Sequence, residues 1–112
     1  MSGWVVEVLA VAQPEVEALP ADLRARLRRL SMVIENNGLE RIREPYVKHL
    51  EGKLWEMRIS GRDGIARAIY FTATGKRVLV ARVFIKKTQK APRGEMAMAL
   101  KRMKEWHDAQ GK

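Results

Sequence analysis

The chain has 112 residues, enough for one domain with a buried core and too few for two. It contains no cysteine, which excludes disulfides, thiol nucleophiles and thiolate metal sites, and its two histidines, His49 and His107, stand far apart without metal-ligand spacing, so no metal or cofactor is expected. Lys and Arg number 22 against 13 Asp and Glu, a net charge of +9 that points to a polyanionic partner, nucleic acid before an acidic protein or anionic lipid.

The opening "WVVEVL" (4–9) is β-branched and aromatic and predicts a strand. Pro14 begins a helical turn, "PEVEAL", and Pro20 restarts the chain. From Ala21 to Asn36, Leu23, Leu27, Leu30, Val33 and Ile34 recur at three- and four-residue steps, so a helix with one buried stripe is expected. Asp22 suits its positive end, and Gly38 supplies the left-handed exit. Arg24, Arg26, Arg28 and Arg29 lie off the stripe. Residues 41–52, "RIREPYVKHLEG", read as a loop punctuated by Pro45 and Gly52. "KLWEMRIS" (53–60), "IARAIYFT" (65–72) and "RVLVARVFIKK" (77–87) then predict three strands joined by the turns "GRDG" and "TGK", an antiparallel meander. After Pro92, Met96, Leu100, Met103 and Trp106 step along a second amphipathic helix. No apolar run approaches the ~20 residues that cross a bilayer, and the N-terminal stretch lacks a basic leader region. A cytoplasmic protein with no membrane partner is therefore expected.

The order predicts one α+β domain over residues 1–112: an N-terminal strand, a helical hairpin, a three-strand antiparallel meander and a C-terminal helix, with the helices packed on one sheet face. Alternation sorts the strand residues between faces. Leu54, Glu56 and Arg58 share one face of the first meander strand, opposite Trp55, Met57 and Ile59. On the last strand Val78, Val80, Arg82, Phe84 and Lys86 fall together, and Leu79, Ala81, Val83, Ile85 and Lys87 oppose them. Arg67 is the one charge within the middle strand. Arg58, Arg67, Arg82 and Lys86 thus gather on an open face, with Lys87 and Lys90 at its rim. Cations on consecutive strands repel one another, so such a face suits an anion, with phosphate as the natural ligand. A salt-bridged, solvated face is the plainer reading of the same residues.

"YVKHLEGKLWEMRI", "GIARAIYF", "VLVARVFIKKTQKAP" and the helix opening at "GEMAMALKRM" resemble the RelE/ParE toxin superfamily from Trp4 to about Trp106. The HigB-like branch, often carried by phages and plasmids, is the most similar, and "LWEMR" (54–58) and "FIKKTQKAP" (84–92) are the most specific pieces. The resemblance implies the toxin of a type II toxin–antitoxin system. RelE-type members cut mRNA in the ribosomal A site, and ParE-type members instead inhibit DNA gyrase. The HigB-like motif favours a ribosome-dependent mRNA endonuclease, with the gyrase inhibitor as the alternative. Partners implied are the 70S ribosome with mRNA, and a cognate antitoxin carrying a helix-turn-helix DNA-binding domain. Carried over by position, Arg67, Lys86, Lys87 and Arg58 are the catalytic candidates. Arg82, Lys90, Lys48, Lys53 and Phe84 are the RNA-binding ones. Glu56 departs from the family pattern, standing where some RelE-type toxins have lysine, and is either a base or a salt-bridge partner of Arg58. His49, in the loop before "GKLWEMR", and Tyr70, as a base-stacking ring, are further candidates.

Overall fold

The computed structural model describes residues 2–62, 64–87 and 93–111. Five strands, β1 (Val5–Val8), β2 (Val47–Glu51), β3 (Leu54–Gly61), β4 (Gly64–Ala73) and β5 (Arg77–Ile85), form one mixed sheet in the order β1-β5-β4-β3-β2. Strands β2 to β5 pair antiparallel in succession, and β1 lies parallel to β5. The helices are α1 (Gln13–Glu17), α2 (Ala21–Asn37) and α3 (Arg93–Gln110). Pro14 sits in the first turn of α1, where its missing N–H costs no hydrogen bond. Gly38 ends α2 at φ 96°, a conformation that suits a residue without Cβ.

Two of the expectations about layout are corrected. The helices do not share one sheet face. Leu23, Leu27 and Ile34 of α2 pack on Met57, Ile59, Ala66, Ala68, Tyr70, Val78, Val80 and Val83, whereas Ala99 and Met103 of α3 pack on Leu54, Ile69, Phe71, Leu79 and Ala81. The reason lies in β4, where residues 66–71 are buried without interruption. A central strand apolar on both sides needs cover on both sides. The stretch 41–52 is not all loop either. Its second half is β2, whose Val47 is buried opposite Met57 and whose exposed Lys48 and His49 hide the strand signal.

The assignment of faces on β5 also changes, because the strand bulges. Tyr70 pairs with Val80 while Ile69 pairs with Arg82, leaving Ala81 as the extra residue. Strict alternation fails there. Val78 and Val80 join Val83 and Ile85 beneath α2, and Leu79 and Ala81 join Phe84 on the α3 side. Arg102 of α3 donates to the bulge carbonyl of Ala81 at 2.9 Å, so the irregularity is satisfied by a side chain.

Among the described residues, β5 beyond the bulge has no strand partner on the β1 side, since β1 pairs only with Arg77–Val80. That edge is covered by Glu15 of α1, whose Oε1 accepts the Val83 N–H at 3.0 Å. The same carboxylate pairs with Arg82 and Arg102, and Arg82 also donates to Glu95 of α3 at 2.6 Å. Four charges, two of each sign, thereby tie α1, β5 and α3 together. Burial works against the charge on Arg82, but Glu95 and Glu15 outweigh it and hold its proton more firmly than usual.

Candidate active site

The strand register brings the basic residues of the meander into contact range on the α3 side of the sheet. Arg58 lies directly opposite Arg67, and Arg67 directly opposite Phe84. Lys86 follows β5, and its backbone N–H donates to the Ile65 carbonyl at 2.8 Å, which places it diagonally across from Arg67. Lys48 of β2 pairs with Glu56 of β3 and adds a further cation from the other side. Like charges facing each other across a strand pair are destabilising. One carboxylate in this group answers them. Glu56 Oε1 stands 3.4 Å from Arg67 Nη1, the diagonal contact that an antiparallel pair offers.

Both members of that pair are out of solvent, Glu56 with 2% of its surface exposed and Arg67 with 9%. The pair is an attraction between charges more than a hydrogen bond. Among the described residues neither Glu56 Oε1 nor Arg67 Nε has a hydrogen-bond partner. A buried guanidinium N–H left without an acceptor costs on the order of 1–3 kcal/mol. That N–H is closed to solvent, so an anion would meet Arg67 through the part of its side chain that lines the cleft, where a guanidinium offers a phosphate paired donors.

Lys86 has its amine pushed below the ordinary lysine value. Desolvation is the main cause, Arg67 and Arg58 add to it, Glu56 opposes it, and Lys48 lowers it further. A lysine among cations is easier to deprotonate, which makes it more useful as a base than a solvated one. Arg67, Lys86 and Lys87 line a cleft of about 510 Å³ that runs past Phe84 to Glu15 and Glu95 at the end of β5.

Other candidates fall in different surroundings. Arg82 lies on the same face but is occupied by Glu15 and Glu95. Phe84 is half-buried against the apolar cluster under α3 and forms the floor beside Arg67. Lys53 is exposed in the β2–β3 turn. Tyr70 is 1% exposed inside the α2 cluster, where burial pushes its phenol up, so it offers no ring to a base. His49 stands across from Trp55, with ring centroids 4.9 Å apart, and its Nε2 is 2.8 Å from the Gly52 carbonyl oxygen. It shares the sheet side of Val47 and Met57, away from Arg67. Glu56 meets Arg67 in the ion pair, not Arg58 as expected. Lys90 lies outside the described residues. Sequence reasoning misses Glu15, which neutralises Arg82, and Arg102, which shares that carboxylate, because their signal is a contact between residues 67 and more positions apart.

The candidate site is thus a buried arginine beneath a cleft on an α+β sheet whose lining holds Arg82, Lys86 and Lys87 together with Glu15 and Glu95. The chain belongs to the Gp49-like phage-derived protein family (DUF891), whose model matches residues 14–104 and which falls in the RelE/ParE-like group of toxins from toxin–antitoxin systems. The matched stretch contains every residue of the site. No curated protein matches the chain.

Proposed function

We propose that this protein is the toxin of a toxin–antitoxin pair and cleaves translated mRNA in the ribosomal A site. The observation that carries the reading is Arg67, buried, with one guanidinium N–H lacking an acceptor among the described residues, between Arg58 and Lys86 on the sheet face. In this reading the RNA 2′-hydroxyl attacks the adjacent phosphorus. The new O2′–P bond forms as the P–O5′ bond breaks, leaving a 2′,3′-cyclic phosphate. Arg67 and Arg58 hold the charge that grows on the phosphorane oxygens, a task suited to a group that keeps its proton. Lys86, with its weakened hold on a proton, accepts the one released by the 2′-hydroxyl. The 5′-oxygen takes its proton from water or from the ammonium of Lys87 at the cleft rim. Glu56 is too buried to meet RNA, so its part is to fix the guanidinium of Arg67.

The acid–base equipment is sparse for a nuclease that works alone. A ribosome that already holds mRNA in line supplies the orientation such a site lacks. The 70S ribosome with mRNA and a cognate helix-turn-helix antitoxin are the partners in this reading.

The test is to induce the protein alone in bacteria and map mRNA 5′ ends within minutes. Wild type is compared with Arg67→Ala and with the Lys86→Ala, Lys87→Ala double variant. Cuts on translated messages, present in wild type and lost in both variants, are expected. Growth arrest with intact mRNA and an induced DNA-damage response would overturn the reading in favour of a gyrase inhibitor.

A further inference from the structure

Arg67 and Lys86 meet on one face of the sheet only because β5 breaks its alternation once. Before the break, Leu79 and Ala81 lie on the α3 side and Val78 and Val80 on the α2 side. After it, Phe84 lies on the α3 side with Arg82, the partner of Ile69, while Val83 and Ile85 lie on the α2 side. Ala81 and Arg82 thus share a side in succession, which a regular strand does not allow. Removing the extra residue would turn 82–86 over as a set, since a slip of one position moves every side chain to the other face. Phe84 and Lys86 would then lie towards α2, with the sheet between them and Arg67. Arg67 itself is placed independently, by its pairing with Arg58 on β3 and its ion pair with Glu56.

The bulge is therefore a working part of the site, and it has to be held. A bulge leaves peptide groups out of the ladder. Ala81 is 0% exposed beneath α3, so its carbonyl cannot turn to water. Arg102 answers it, with Nη1 donating to the Ala81 carbonyl at 2.9 Å. This bond is separate from the ion pair that Arg102 makes with Glu15. Without the donor, the peptide after Ala81 must turn to find another partner, and the side chains beyond it follow. Misplacing a catalytic group by about 1 Å can cost about 100-fold in rate.

We propose that Arg102 is a positioning residue, which holds the bulge at Ala81 and so presents Phe84 and Lys86 to Arg67. Arg102 does not line the cleft and acts through β5 alone. The proposal rests on the reading of Arg67 and Lys86 as one site, but its first readout needs no RNA.

Arg102→Met keeps the aliphatic stem and removes the donor, Arg102→Lys keeps a charged donor, and Ile34→Val on α2 loosens the core alone. Amide hydrogen exchange, followed by NMR on the full chain, reads the register. The Lys86 N–H donates to the Ile65 carbonyl in this register, and a turned-over strand would point it to the free edge. Phe71, paired with Leu79 on the other side of the bulge, reports opening of the whole sheet. Arg102→Met should speed exchange at Lys86 relative to Phe71 by at least about tenfold. Arg102→Lys should restore most of that protection, and Ile34→Val should leave the ratio as in wild type. Cleavage of mRNA per folded molecule should fall by about tenfold in Arg102→Met and recover to within about threefold of wild type in Arg102→Lys.

Should Arg102→Met lose the native circular dichroism spectrum, Arg102→Gln, which keeps a polar group but falls short of Ala81, takes its place. An unchanged exchange ratio in the donor-less variant would overturn the proposal. So would a lysine that restores nothing, or full cleavage by a variant whose Lys86 amide has lost its protection. The exchange ratio tests the hold on β5 even if wild type cuts no mRNA, so the two readings fail separately.

Discussion

Arg82 and Arg67 occupy the same side of the same sheet, on neighbouring strands, and live under opposite electrostatic rules. Arg82 sits in a neutral cluster with Glu15, Glu95 and Arg102, two charges of each sign. Arg67 shares one carboxylate, Glu56, with Arg58, Lys48 and Lys86 around it. The balanced cluster joins α1, β5 and α3 and so serves the fold. The unbalanced one lowers stability through an excess of positive charge, and that excess is what an anionic substrate would relieve. Residue type does not distinguish the two arginines; their counter-charges do.

The contrast breaks most sharply at Glu15. Glu15→Ala leaves Arg82, Arg102 and the Val83 N–H without their shared acceptor, and should lower unfolding free energy by about 3 kcal/mol, read as a shifted urea midpoint. Cleavage per folded molecule should stay as in wild type. Arg67→Ala should act on both: mRNA cleavage per folded molecule falls by about 100-fold, worth about 2.7 kcal/mol of transition-state stabilisation, and the urea midpoint also falls because buried Glu56 loses its ion-pair partner. Loss of activity in Glu15→Ala equal to that in Arg67→Ala would erase the distinction.

Inorganic phosphate sharpens the comparison without RNA. It should raise the melting temperature of wild type by a few degrees and that of Arg67→Ala by much less, with Glu95→Gln behaving as wild type in its response. An equal response in all three would place phosphate elsewhere. The pH dependence is a smaller effect. Lys86 holds its proton less firmly in the folded chain than in the unfolded one, so its contribution is least favourable below the depressed value. Stability should rise as pH climbs through that value towards the ordinary 10.5, and the rise should be shallower in Lys86→Met. Denaturation midpoints between about pH 7 and about pH 10 measure the difference. The smallest change belongs to Glu7 and Arg77, a half-exposed pair on β1 and β5 at the far end of the sheet. Arg77 lowers the Glu7 carboxyl, chiefly through their hydrogen bond, so this contribution exists above the ordinary carboxylate range and fades as pH falls through the depressed value. Glu7→Gln should shift the midpoint only slightly, and salt should mask the shift.

Much of the site is legible in the residue pattern alone. Apolar steps of three and four mark α2 and α3, and charges inside apolar strands single out Glu56 and Arg58 on β3, Arg67 on β4 and Arg82 on β5. The β2 strand is hidden because Lys48 and His49 face solvent at the sheet edge, leaving Val47 as its one buried residue. Tyr70 looks available because a ring on a strand shows its face only once α2 has a side.

Composition and periodicity by themselves determined the surplus of cations, the helices, the meander strands and the placement of Arg58, Arg67 and Lys86 near one another. These depend on neighbours a few residues apart or on simple hairpins. Tertiary structure alone decided the rest: β1 added parallel to β5, the bulge at Ala81 that reassigns half a strand, the two helices placed on opposite faces, and the carboxylates that reach Arg82 but not Arg58. Each of those is set by which distant side chains meet when apolar surface is buried on both sides of β4, and no local pattern encodes that meeting.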